Sequence, residues 1–254
     1  MKSILTALAL AACLCAQDST APNYTAAGLV NGASFANGLA PNTILSLFGT
    51  NLSWDTATVS SQASGVMPTT LGDVQVFFEN WPAYLYYVSP TQINLLVPSN
   101  LLPGTFHFWV DRQGTNGPVV SVTLGSAAPA MFMYPAGTAI ATHLDGSLCT
   151  ASAPATPGEI VTLWATGLGP TEPPLEDGVL PLTAQSLSDM SQFEVLINGT
   201  AVDPSAILYA GVAPGYAGLY QVNVRLPDLL PANPQIQLGL GGVVGPAQIT
   251  IPAE

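Results

Sequence analysis

The stretch Pro41-Asn42-Thr43-Ile44-Leu45-Ser46-Leu47-Phe48-Gly49-Thr50-Asn51-Leu52 recurs as Pro157-Gly158-Glu159-Ile160-Val161-Thr162-Leu163-Trp164-Ala165-Thr166-Gly167-Leu168. In both, a proline opens a short apolar run, an aromatic closes it, and a small residue, Thr, a turn former and Leu follow. A second block, Gln92-Ile93-Asn94-Leu95-Leu96-Val97-Pro98, returns as Gln221-Val222-Asn223-Val224-Arg225-Leu226-Pro227, and Leu101-Leu102-Pro103 returns as Leu229-Leu230-Pro231. The offset is 116 in the first block, 129 in the second and 128 in the third. Three ordered blocks at a near-constant offset define an internal repeat. The second copy carries about a dozen extra residues, much of them in Tyr209–Gly218, which replaces the shorter Tyr87–Pro90.

Each copy is about 110 residues long with turn signals at short intervals, the spacing of a β-sandwich. The expected fold is all-β, as two tandem immunoglobulin-like sandwich modules, 24–135 and 136–254. Asn198-Gly199 predicts a hairpin with a type I′ turn, because both central residues tolerate positive φ. Asp145-Gly146 is read as a second such turn. Composition agrees with many short strands: Gly and Pro supply 24 and 23 of 254 residues, while charged residues are only 7%, against about 25% in an ordinary domain. Apolar residues reach 48%, enough for a substantial core.

The chain begins with Met1-Lys2, an apolar run from Ile4 to Leu10, and small residues, the layout of a cleavable export signal. Cleavage after Ala16 fits ordinary signal peptidase, giving a signal of 1–16. Leu10-Ala11-Ala12-Cys13 alternatively reads as a lipobox that would acylate Cys13 and anchor an envelope lipoprotein. With the signal removed, Cys149 remains, read as a buried, inert thiol. The expected location is extracellular or periplasmic, with no transmembrane helix in the mature chain.

Three basic residues against 15 acidic give a formal charge of −12. Nucleic acid needs clustered Lys or Arg for phosphate contacts and counterion release, and anionic lipid needs the same. Neither partner fits. The remaining partners are another envelope protein or a polysaccharide.

Several strings, Leu29-Val30-Asn31-Gly32-Ala33-Ser34-Phe35, Tyr87-Val88-Ser89-Pro90-Thr91-Gln92-Ile93-Asn94, Thr166-Gly167-Leu168-Gly169-Pro170-Thr171 and Gly218-Leu219-Tyr220-Gln221-Val222-Asn223, resemble the Solibacter-type C-terminal domain family of acidobacterial secreted proteins. The resemblance covers residues 26–252 and implies an exported β unit. In that family the unit usually ends a much longer chain, whereas here it follows the signal almost directly. A looser resemblance links the modules to IPT/TIG immunoglobulin-like domains, an analogy of fold that assigns no function.

Catalytic patterns are missing. The chain has two histidines, His107 alternating with aromatics along a strand and His143 before a turn, and no Gly-x-Ser-x-Gly elbow, His-Glu-x-x-His helix or phosphate loop. No enzyme, metal or cofactor is expected. The loop Thr171–Gly178 gathers Glu172, Glu176 and Asp177, and solvated charge is preferred there over a calcium site. Non-catalytic adhesion, envelope structure or protein contact is the leading functional reading, and carbohydrate binding is the alternative. Trp54, Trp81, Tyr84 and Tyr86 are the candidate binding aromatics. Gln92, Asn94, Gln221 and Asn223 are read as structural amides that satisfy the loop before each strand, with Ile93, Leu95, Val97 and Val222, Val224, Leu226 facing the cores.

Overall fold

The computed structural model describes residues 21–59, 65–134 and 137–254. The expected signal segment with Cys13 lies outside the described residues, as do Pro135 and Ala136 at the expected module boundary. The fold is all-β, and every pairing between named strands is antiparallel. Among the described residues no helix is long and apolar enough to cross a membrane.

The chain first lays down β1 (Leu29–Asn31), β2 (Ile44–Phe48), β3 (Ala57–Thr58), β4 (Val74–Phe78) and β5 (Trp81–Pro82). Next come β6 (Tyr84–Val88), β7 (Gln92–Leu96), β8 (Gly104–Arg112), β9 (Thr115–Asn116) and β10 (Val120–Leu124). One sheet runs β1-β2-β7-β6-β3, and a second runs β10-β8-β4-β5 with β9 on β8. Their inner faces share one core, including Leu45, Leu47, Val76, Phe78, Ile93, Leu95, Phe108 and Val110. Full burial of each such side chain contributes about 1.5–3 kcal/mol.

The second half begins with β11 (Ala130–Met131), β12 (Met133–Tyr134), β13 (Thr138–Ala139) and β14 (Ala141–Thr142). It continues with β15 (Ile160–Thr166), β16 (Thr171–Glu172), β17 (Gln185–Leu187), β18 (Phe193–Ile197) and β19 (Thr200–Ala201). Last are β20 (Ile207–Val212), β21 (Tyr220–Arg225), β22 (Ile236–Leu240) and β23 (Val243–Val244). A sheet ordered β11-β15-β21-β20-β17-β16 and another ordered β19-β18-β22-β23 enclose the second core, with Val161, Leu163, Val195, Val222 and Leu238 inside. The repeat is visible in register. β2-β7-β6 matches β15-β21-β20, and a bulge falls just before Tyr87 in one and just before Tyr209 in the other.

Two local expectations need correction. The passage between cores comes before residue 130, not at 135, because Ala130–Met131 pairs with β15 and Met131 joins the second core. Tyr134 pairs with Thr138, so the strands on either side of the expected boundary both belong to the second half. Asn198 and Gly199 have φ of 49° and 79°, the type I′ turn expected. Asp145 lacks positive φ. There the Gly146 N–H donates to the His143 carbonyl while the Asp145 carboxylate accepts from Ser147 N, which closes the turn differently.

The two halves meet along a seam on the outer face of the first sheet. Leu96, Ile44, Tyr84 and Tyr86 pack there against Met67, Leu180 and Ala217. The Ile44 N–H donates to Thr166 Oγ1 at 2.9 Å, and that hydroxyl donates to the Gly218 carbonyl at 2.7 Å. Asp177 Oδ1 accepts from Ser99 N at 2.8 Å, and its Oδ2 accepts from the Tyr84 hydroxyl at 3.2 Å. A Cβ on Gly178, whose φ is 69°, would stand 2.0 Å from the Tyr84 ring. Gly178→Ala should therefore open the seam, costing about 1–3 kcal/mol of overpacking strain, while leaving both cores intact. Calorimetry should show one melting transition for the native chain and two for the variant. A variant that still melts once, at the native temperature, would show that the seam does not couple the halves.

Candidate functional site

Strand side chains alternate between faces, and in β4 and β8 both faces are partly apolar. Val74, Val76 and Phe78 point inward with Phe108 and Val110, all fully buried. Gln75 and Phe77 of β4, and His107, Trp109 and Asp111 of β8, consequently point outward. Phe77 and Trp109 are direct cross-strand partners. Their rings stack at 4.2 Å between centroids, 14° from parallel, and both are half-buried. Pro82 of β5 extends the row beside Phe77. At about 4.8 Å per strand, the apolar row runs roughly 10 Å across three strands.

Polar residues border it on both sides. Gln75 and Asp111 are paired on one flank, with Asp111 Oδ1 accepting from Gly114 N at 2.7 Å. On the other, Glu79 Oε1 accepts from His107 N at 2.8 Å and from His107 Nδ1 at 2.9 Å. Those bonds, the backbone one foremost, hold the Glu79 carboxyl below its usual range. The Trp109 indole N–H donates to the Glu79 carbonyl at 3.3 Å, which fixes the ring on the sheet. Such a row can lie against the C–H face of sugar rings while its flanks exchange hydrogen bonds with hydroxyls. Glycoside cleavage does not fit. Glu79 lies level with His107, four residues from Asp111 along the strand, or about 13 Å, beyond the 5–9.5 Å that paired catalytic carboxyls need.

The four aromatics singled out from sequence do not come together. Tyr84 and Tyr86 lie in the seam, the Tyr86 hydroxyl donating to the Ala217 carbonyl, so they face the second half and not a ligand. Burial, and then the Asp177 carboxylate, pushes the Tyr84 phenol up to about 12. Trp54 is covered by the guanidinium of Arg112, 3.5 Å above its ring. Arg112 itself is buried and donates to the Asn51 carbonyl at 2.5 Å, an internal role that sequence did not suggest. Trp81 is half-exposed at the tip of the β4–β5 hairpin, opposite Phe78. Phe77 and Trp109 went unnoticed, although their signal was present: in Val74-Gln75-Val76-Phe77-Phe78 and Phe106-His107-Phe108-Trp109-Val110 one period of two is wholly apolar and the other still carries a large aromatic.

The amides of the repeat bond to one another rather than to the preceding loops. Asn94 Oδ1 accepts from Gln92 Nε2 at 2.8 Å and from Ser46 Oγ at 2.9 Å. Asn223 Oδ1 accepts from Gln221 Nε2 at 2.9 Å and from Thr162 Oγ1 at 3.0 Å. Loop Tyr87–Pro90 is held by Ser89 Oγ, which accepts from Gln92 N and donates to Gln92 O. Ile93, Leu95, Val97, Val222, Val224 and Leu226 all face the cores.

Among the described residues no three of His, Cys, Asp and Glu come close enough to hold a metal. Asp177 of the acidic loop bridges the seam. Burial pushes the Cys149 thiol up to about 11. A cleft of about 340 Å³ at the seam is lined by Leu101, Leu102, Pro103, Pro170, Pro174 and Leu175 among others, with no titratable side chain.

No family model matches the chain, and no curated protein does. Among solved structures it is similar to SGBP-B of a Bacteroides ovatus mixed-linkage glucan utilization locus, in complex with a heptasaccharide. That match has 12% identity and a TM-score of 0.37, covering 92% of this chain and 46% of that one. A surface glycan-binding protein of Prevotella bryantii matches at 12% identity and 0.27, covering 84% and 37%. The I9–I11 tandem of titin matches at 9% and 0.23, covering 92% and 64%. The chain spans less than half of either glycan-binding protein. With every score below 0.5, the reading of the site rests on its own geometry.

His143 and Glu159 form a pair whose stability depends on pH. Its Nε2 donates to the Ala153 carbonyl at 3.1 Å and its Nδ1 to Glu159 Oε1 at 2.5 Å, so two acceptors call for the doubly protonated ring. The Glu159 bond chiefly raises the imidazole above 6.5, helped by Asp145. Burial pushes Glu159 up, but the bonds from His143 and Thr156 outweigh it and leave the carboxyl below 4.5. The histidine's contribution is complete below pH 6.5 and lost as pH rises through its raised value. The glutamate's is complete above pH 4.5 and lost as pH falls through its lowered one. Their joint stabilisation should peak between pH 4.5 and 6.5. Melting temperatures of the native chain and Glu159→Gln should diverge most in that window and draw closer towards pH 9 as the imidazolium charge is lost, the Thr156 bonds to Glu159 remaining; a gap that does not change with pH would contradict the pairing.

Proposed function

We propose that the chain is a non-catalytic, exported protein of two modules, with the passage between them ahead of residue 130, that binds neutral polysaccharide. Membership of the Solibacter-type family and an extracellular or envelope location belong to the same proposal. The observation that carries it is the stacked Phe77–Trp109 row on an outer sheet face, bordered by Gln75, Asp111, Glu79 and His107. This reading places carbohydrate binding ahead of adhesion or protein contact. Anionic polymers are disfavoured, because the flanks carry two carboxylates and the described residues carry only Arg112, which is buried, and Arg225.

Affinity electrophoresis against glucans, xylans, mannans and galactans is the test. At least one should retard the mature protein. Trp109→Ala should weaken that binding tenfold or more, about 1.4 kcal/mol, with an unchanged fold because the ring faces outward. No retardation by any polymer, or full retardation of Trp109→Ala, would refute the proposal.

A further inference from the structure

The first sheet has its own outer face, on the opposite side of the module from Phe77–Trp109, and the second half of the chain covers only one end of it. Ile44, Leu96 and Tyr84 lie under the seam. The other end is open. There the register sets Phe48 beside Gln92 and Tyr87 beside Asn94, so two aromatics flank the amide pair. Phe48 is 40% exposed and contacts Phe35, which is 58% exposed, at 6.2 Å between ring centroids.

The amides are oriented by their own bonds. Asn94 Oδ1 is filled by Gln92 Nε2 and Ser46 Oγ. The Asn94 Nδ2 donors and the Gln92 Oε1 acceptor are therefore the groups left to meet a ligand, side by side on a rigid strand. Among the described residues the Tyr87 hydroxyl makes no hydrogen bond. Its counterpart in the repeat differs: the Tyr209 hydroxyl is engaged with the carbonyls of Gln185 and Val212, at 3.1 and 2.8 Å. Trp164, the counterpart of Phe48, is half-buried. The shared amide bond is thus structural in both halves, and it leaves the same Nδ2 and Oε1 groups at Asn223 and Gln221, whereas the exposed Phe35 and Phe48 rings and the Tyr87 hydroxyl belong to the first half.

We infer that this face binds an acetamido sugar, with Asn94 Nδ2 donating to the acetamido carbonyl, Gln92 Oε1 accepting its N–H, and Phe48 covering the methyl group. A donor and an acceptor offered together match a secondary amide, which presents one of each, and the neighbouring aromatics suit a methyl and a sugar ring. A peptide also carries amides, but as a repeating series that a sheet edge matches better than one amide pair on a sheet face. The site lies on a different sheet from Phe77–Trp109 and does not rest on the proposal made for that row.

Calorimetric titration with chitohexaose, its de-N-acetylated hexamer and cellohexaose tests it. The native chain should bind chitohexaose at least tenfold more tightly than either of the others. Gln92→Ala and Phe48→Ala should each remove that preference, the latter at an exposed position that the core does not need. Gln221→Ala and Trp109→Ala should leave it unchanged, and loss in Trp109→Ala of cellohexaose binding alone would concern the other row. Equal affinity for the three hexamers, a preference that survives Gln92→Ala, or Gln92-dependent binding of an extended Gly-Ser peptide in place of the sugar would overturn the inference.

Discussion

A strand in a two-layer sandwich can bury only one of its faces against the opposite sheet. This chain carries apolar residues on both faces of several strands and has few charges with which to cover the excess. Each outward apolar residue must therefore be covered by another part of the chain or left to meet something else. Ile44, Leu96 and Tyr84 take the first course, beneath Met67, Leu180 and Ala217. Phe77, Trp109 and Phe48 take the second. The distinction separates architecture from function more sharply than residue type does, because Tyr84 and Tyr87 lie three positions apart with opposite fates.

The segment that does the covering is largely the repeat's own departure from symmetry. The extra residues of the second copy include Ala217 and Gly218, which contact the first sheet and receive the Thr166 hydroxyl. The acidic loop contributes Asp177, whose carboxylate accepts hydrogen bonds from Ser99 and Tyr84 on the other half. A repeat without these additions would expose Leu96 and Ile44, an apolar patch of the kind that invites association. The insertion and the acidic loop are thus parts of one device that joins the halves.

The fold was legible where the cause was local. Period-two alternation placed Ile93, Leu95 and Val222 inside, and Asn198-Gly199 formed its turn, because pleat geometry and positive φ depend on neighbouring residues alone. The candidate site was less legible. Tyr84 and Tyr86 read as binding aromatics because nothing near them in sequence reveals that Asp177 and Ala217 will lie against them, some 90 and 130 residues later. Trp54 was misjudged for the same reason, its partner Arg112 arriving from a distant strand. Gln92 and Asn94 were understood as structural, but their partner was the strand beside them, Ser46, and not the loop before them.

The central claim is that the outward row of β4 and β8 is left uncovered for a ligand. Its most direct test is a nitrogen–proton correlation spectrum of the four indole N–H groups, recorded while a neutral oligosaccharide from the best-binding polymer is added. The account predicts that the Trp109 resonance shifts progressively while those of Trp54, Trp81 and Trp164 stay in place. A Trp109 signal that never moves while another indole tracks the ligand would contradict it.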